Sequence, residues 1–378
     1  MKNILLIIFC LFLIPFSALA EENFAESEIQ PPAIENQTYK AIVLSIEKEN
    51  TLTREDGSEN LQQNLKVKIL DGDLKNKEEI TTGIGDLDVV QSSTASVGEK
   101  VLVMRQINLD GSETFVVTDI IRTGNLLWLS IFFVLSVLII GKWRGCKSLL
   151  SLILTFFIIM YFIIPRILAG QNPLFVSVIG ASIILAIIVY VTWGWQKKSH
   201  VALLSIALSL FLAGFISYIF SKLTRLTGLA NEDILFLIDS SRKAINFEGL
   251  LLAGMIIGTL GVLDDVVISQ ISAVEQLQET NPNLTKKQLY KKALSIGIDH
   301  ISSMTNTLFL AYAGASLPLL LLFSLKSGQF VSFSQVINNE IIATEIVRTL
   351  TGSIGLILAM PLSTFIAAYF FKAKKHAK

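Results

Sequence analysis

The stretch "GVLDDVVISQ", residues 261–270, decides how this chain is read. Two adjacent aspartates, Asp264 and Asp265, interrupt a run that is otherwise apolar from residue 247 to residue 271. Such a run is long enough to cross a bilayer core of about 30 Å. A carboxylate at mid-membrane costs about 2.5–3.5 kcal/mol on insertion scales. A span that keeps one turns it toward the protein interior or a wet cavity. Two questions follow: which helix face carries the aspartates, and what faces them.

The rest of the chain agrees with a membrane setting. It has 378 residues, 52% of them hydrophobic, and a mean hydropathy of +0.60. Its formal net charge is zero, which gives no support to a nucleic-acid partner. Seven apolar spans are expected, roughly at 126–141, 148–164, 173–193, 201–221, 247–271, 300–325 and 346–371. The fold class expected is an α-helical polytopic membrane protein, with about seven transmembrane helices after a signal peptide and a small extracytoplasmic all-β domain. The lipid bilayer is its first partner. A homo-oligomer or a membrane partner stays open.

The first 20 residues read as a signal peptide: Lys2, an apolar stretch from Ile4 to Phe16, then Ala18-Leu19-Ala20 before two glutamates. An uncleaved first helix is the alternative, and both place the following domain outside. Residues 21–37 read as a linker. Residues 38–124 form the expected β domain, OB-like or a small barrel. Four stretches alternate there, "YKAIVLSIEKE", "LKVKIL", "EKVLVMRQI" and "ETFVVTDII", separated by Asp-Gly turn signals. Residues 125–378 form the transmembrane domain. Basic residues cluster in "KWRGCK", "QKKSH" and the tail "KAKKHAK". That bias puts the C-terminus in the cytoplasm. Residues 285–298 show apolar Leu289, Ala293, Leu294 and Ile296 at helical spacing against four lysines. An amphipathic helix on the cytoplasmic membrane surface fits, and so does a solvated charged helix.

Helix geometry separates the two aspartates. Gly254, Gly258, Gly261 and Asp265 share one face, and small residues four apart favour close helix packing. Asp265 is therefore the carboxylate expected where another helix comes near, with Asp264 the weaker candidate. The sixth span opens with Asp299, His300, Ser303, Asn306 and Thr307. Counting about six residues in from each span edge puts Asp265 level with Asn306 and Thr307. Such a cluster carries protons or a cation, or it only bonds helix to helix. Gly352 and Gly355 mark another close-packing site.

Other chemistries find little support. Three histidines lie far apart, against a His-rich metal site, while a carboxylate-based site stays open. Of two cysteines, Cys10 falls in the signal, so the mature domain has no disulfide of its own. No cofactor motif or nucleotide-binding loop appears. An enzyme is not expected, because adjacent aspartates cannot both face one site squarely.

Three stretches carry a resemblance: 261–277, 297–323 and 339–364. They are similar to the YibE/F family of multi-spanning bacterial membrane proteins. Asp265 is the aspartate that matches the family, and Ile298 stands where a basic residue often precedes the matching Asp299. The resemblance implies a bacterial cytoplasmic membrane protein but supplies no activity. The last three spans also resemble, by analogy, the resistance–nodulation–division and Sec-associated proton-driven proteins, whose corresponding carboxylates carry protons. The function expected is a proton- or cation-coupled secondary transporter, an exporter of an unknown small solute or ion, with Asp265, Asp264, Asn306, Thr307, Ser303, Asp299 and His300 as coupling residues. The alternative is an accessory or scaffold protein that binds a partner through the outer domain.

Overall fold

The computed structural model describes residues 37–53, 59–84, 94–108, 111–230, 234, 237–238, 245–324 and 332–371. The expected signal peptide and all of the linker but Gln37 lie outside the described residues. The chain divides into two compact units, with the boundary between Ser136 and Val137.

The first unit is built on one antiparallel sheet. Its strands are β1 (Gln37–Thr53), β2 (Glu59–Ile69), β3 (Glu78–Ile80), β4 (Lys100–Ile107) and β5 (Glu113–Ile120), in spatial order β3-β2-β1-β4-β5. Sequence alternation predicts four of these. β3 has three residues, too few for a period of two to show. β1 is long enough to pair on both sides, with β4 through residues 37–42 and with β2 through residues 41–53. Register shifts after Val43 and Ile46 mark bulges, which bend a strand and increase its twist. The two sheet edges then meet: Thr81 bridges Phe115 in parallel, and Thr82 N donates to Phe115 O at 2.8 Å. The sheet therefore runs as a ring and leaves a short free edge. Inside it lie Tyr39, Ala41, Val43, Leu65, Val67, Ile69, Val101, Val103 and Phe115.

A polar knot closes one side of this unit. Tyr39 is buried, and its Oη stands 2.7 Å from Asp73 Oδ1 and 2.5 Å from Gln37 Oε1. Arg105 donates to both oxygens of Glu113 and approaches Asp73 at 3.8 Å. The Asp71-Gly72 turn needs its glycine: Gly72 has φ +71°, and a Cβ there would lie 2.6 Å from the Tyr39 ring. The Tyr39 hydroxyl holds the Asp73 carboxyl below the usual carboxylate range. The Arg105 guanidinium does the same for Glu113.

The second unit is helical. Helix α1 (Thr123–Ile158), whose first part up to Ser136 belongs to the first unit, continues through a π turn (Ile159–Ile163) into α2 (Ile164–Leu168). After it come α3 (Pro173–Trp193), α4 (Lys197–Leu223), α5 (Phe247–Thr280), α6 (Lys286–Ala315), α7 (Leu317–Ser324), α8 (Phe333–Asn338) and α9 (Glu340–Phe370). Asparagine side chains start three of them. Asn172 caps α3, Asn246 caps α5 and Asn339 caps α9, each accepting from a free backbone N–H of the first turn. Thr285 and Gln288 form a full capping box on α6.

Among the described residues five helices are long and apolar enough to cross a membrane, not the seven separate spans read from the sequence. The first, Thr123–Leu168, takes in both spans expected at 126–141 and 148–164. It is not straight: Lys142 has φ 47° and ψ −125°. Past this point the backbone returns on itself, since a Cβ on Gly145 would lie 2.3 Å from Val137 O. The sixth expected span is absent from the five because its apolar part is divided between α6 and α7 at Ser316. The amphipathic segment 285–298 is not a separate element either. It forms the first half of α6 without a break at residue 300. Its Leu289, Ala293, Gly297 and Ile301 are buried, while Ile296 is 51% exposed. This half packs on protein, because Tyr290 meets Phe365 edge to face and Lys286 lies over Tyr369.

The knot has a pH signature. A depressed folded carboxylate pKa adds stability above the unfolded pKa and loses it as pH falls through the folded value. Asp73 and Glu113 are both depressed. Protection of residues 37–122 against hydrogen exchange in the full-length protein is therefore expected to weaken below about pH 4. Arg105→Gln is expected to lower protection at neutral pH and flatten this acid dependence. An unchanged profile in that variant would show that the knot adds nothing.

Candidate functional site

The candidate site lies where α5, α6 and α9 meet. α5 is held by its apolar face, with Met255, Leu260, Leu263, Val266, Val267 and Ile271 buried. The interior also contains one polar tie. Gln270 Nε2 donates to Ala293 O on α6 and to Thr364 Oγ1 on α9, both at 2.8 Å. Gly297 makes room for it, since a Cβ there would lie 2.6 Å from Gln270 Oε1.

The face with the glycines is the opposite one. Gly254, Gly258, Gly261 and Asp265 are exposed. A Cβ on Gly254 or Gly261 would meet nothing within 4 Å, and on Gly258 only Tyr312 Oη at 3.5 Å. The close helix expected over this stripe is not there among the described residues. The larger apolar residues on the other side of α5 make more van der Waals contacts with the neighbouring helices, so they take the interior. Asp265 stands at one end of the open stripe. Asp264 is half-buried, and its Oδ1 accepts from Asp265 N at 2.9 Å. Neither carboxylate has a cationic partner among the described residues.

The expected cluster around Asp265 is not assembled. Ser303, Asn306 and Thr307 are exposed, and Thr307 Oγ1 donates back to Ser303 O at 3.1 Å. Asp299 and His300 are exposed as well. The levels explain the difference. Gln270 is tied to Ala293. Going five residues from Gln270 back to Asp265 in the antiparallel partner therefore reaches Ile298, not Asn306. Depth counted from span edges failed because α6 starts well before the apolar run.

The stripe leads to cavities. Gly254 lines a cavity of about 250 Å³ together with Thr344, Glu345 and Arg348. A second cavity of about 370 Å³ is lined by Phe309, Tyr312, Glu345 and Thr349. Glu345 borders both and pairs with Arg348 Nη1 at 2.6 Å. Tyr312 reaches from the second cavity to Gly258. The open face thus runs from the Glu345–Arg348 pair past Tyr312 to Asp265.

Close packing lies elsewhere. Gly352 and Gly355 are buried on α9. A Cβ on Gly355 would lie 2.5 Å from Ala213 Cβ on α4. α4 answers with Ser205, Ser209, Ala213, Ser217 and Ser221, all buried at intervals of four. Ser217 Oγ donates to Thr351 Oγ1 at 3.0 Å. Gly352 and Gly355 are the close-packing site read from the sequence, whereas the α4 side of the seam, Gln270, Tyr312 and the unpaired groups near Arg348 were missed. The four-residue serine spacing was the available signal for the seam.

Comparison with known proteins places the chain. A family model described as "YibE/F-like protein" matches residues 129–373. The chain belongs to this family and is a membrane protein. No curated protein and no solved structure matches it significantly.

The two kinds of glycine separate in a stability measurement. Gly355→Ala is expected to cost about 1–3 kcal/mol by overpacking against Ala213. Gly261→Ala is expected to be neutral or slightly stabilising, because alanine is the better helix former. Thermal unfolding in detergent reads both. An equal cost at the two positions would mean that the open stripe is covered in the intact protein.

Proposed function

We propose that this protein is a secondary transporter that exports a small solute, coupled to protons or a cation through Asp265. The carrying observation is the open stripe: a carboxylate with no cationic partner among the described residues stands on a lane of glycines that begins at the Glu345–Arg348 pair. A carboxylate with no fixed cation partner can take up and release a proton or a cation. Side-chain-free glycines leave room for water or solute beside it, and the Tyr312 hydroxyl lies along the way. Asp264, half-buried and bonded to the Asp265 backbone, would set the electrostatics of its neighbour. Ser303, Asn306, Thr307, Asp299 and His300 would line the exposed side of α6 rather than ligate Asp265.

The proposed topology has seven crossings. A straight run of 46 residues would measure about 69 Å, more than twice a bilayer core, and the reversal at Lys142 divides it into two. α6 with α7 supplies the remaining crossing. The β unit would then lie outside a bacterial cytoplasmic membrane, after a signal peptide, with the C-terminus inside. Its role would be to receive or hand on solute.

The test is proton or sodium flux into vesicles that contain the purified protein and an internal indicator dye, under an imposed potential. Asp265→Asn is expected to abolish the flux with melting unchanged, and Asp264→Asn to reduce it. Full flux in Asp265→Asn would remove the coupling role. Loss of function on deleting residues 38–122, with Asp265→Asn silent, would favour the accessory reading instead.

A further inference from the structure

The cavity of about 250 Å³ has chemistry that its neighbours do not use up. Thr344 is 8% exposed, and its hydroxyl is buried without a hydrogen-bond partner. A helical threonine usually bonds back to a carbonyl in the preceding turn, and Thr344 does not. Arg348 gives Glu345 only the Nη1 corner of its guanidinium. Its Nε is buried and has no partner. Buried donors without partners are rare in folded proteins and call for an explanation. Among the described residues Glu345 bonds only to Arg348, so one of its oxygens remains for a donor. The other walls are apolar, with Phe247, Leu251 and Ile341.

The cavity is held open. Glu340 Oε1 accepts from Thr227 N at 2.6 Å, from Thr227 Oγ1 at 2.7 Å and from Gly228 N at 3.1 Å. This staples the turn after α4 to the start of α9. Gly228, which lines the cavity, has φ +75°, and a Cβ there would lie 2.4 Å from Phe247 O. A wall so constrained needs little ordering on binding.

From this arrangement we infer a binding site for a small zwitterionic amino acid with a short apolar side chain. The Nε edge of an arginine suits a carboxylate, and the Thr344 hydroxyl donates to its second oxygen. The ligand ammonium pairs with the free oxygen of Glu345. The side chain rests on Phe247, Leu251 and Ile341. A simple anion would be repelled by Glu345 and a simple amine by Arg348, whereas a zwitterion satisfies both. The volume lies below the roughly 300–1,000 Å³ of drug-sized sites, as an amino acid requires. As a substrate site, this rests on the transporter reading above; as a binding site, it stands without it.

Calorimetric titration of the purified full-length protein tests it. The probes are leucine, valine, isovalerate and isoamylamine. Leucine or valine is expected to bind, with each single-charge analogue at least about 10-fold weaker. Arg348→Gln and Thr344→Val are each expected to weaken binding by about 10-fold or more. No binding of either amino acid to folded wild type overturns the site. So does isovalerate binding as well as leucine, which needs no titration of a variant. Leucine binding together with full flux in Asp265→Asn would sink the coupling role and leave the site intact. Lost flux in Asp265→Asn without leucine binding would do the reverse.

Discussion

The helical unit depends on how closely two backbones can approach. α4 and α9 meet through small residues at intervals of four, and at Ala213 and Gly355 there is no space for one more methyl group. In lipid, apolar side chains gain nothing by leaving one hydrocarbon for another, so close contact and shape carry helix association. The serines of α4 suit this setting. Ser205 and Ser209 satisfy their own hydroxyls on the carbonyls of the preceding turn, so they present little more than an alanine to the neighbour. Thr259 of α5 comes against the same seam, near Gly352 and Gly355. Three helices are thereby fixed at one level, and the positions of the carboxylates follow from it.

That constraint also explains which polar groups are structural. Gln270 is buried and has partners on two other helices. Its amide is neutral, and burying it with both donors bonded costs little. Asp264 and Asp265 have no such partners among the described residues, and Asp265 lies on the side that α5 leaves open. Polar groups in one helix thus divide by satisfaction: the amide holds the bundle together, and the carboxylates remain available for chemistry.

Much of the architecture was legible in the sequence, and the misses have physical causes. Long apolar runs marked the helices, and alternation marked four strands. The face of α5 was read wrongly because small residues at spacing four suit both a packed seam and an open lane. Only the neighbour decides which. On α9 the same pattern at Gly352 and Gly355 packs tightly. On α5 bulky Leu263, Val267 and Ile271 claim the interior first. Asp265 was singled out correctly as lying on the glycine face, but its partners were misplaced. The register between α5 and α6 is set by Gln270 and Ala293, a contact that no single-helix pattern displays. The groups around Arg348 were legible only as an i,i+3 ion pair, since a missing partner is a property of space.

The unbroken course of α6 has a mechanical meaning. Thirty helical residues make a rod about 45 Å long, capped at Thr285 and free of proline until α7. Near its middle Gly297 rests directly on Gln270 and Met360, within a contact that runs along the buried Leu289, Ala293 and Ile301. Lys286 and its neighbours occupy one arm, and Tyr312, beside Gly258, occupies the other. The lysine-bearing arm is clamped on the last helix through Tyr290 and Lys286. A rigid rod clamped at one end fixes its other end, so the place of the Tyr312 hydroxyl beside the glycine lane is set by packing about 30 Å away from it.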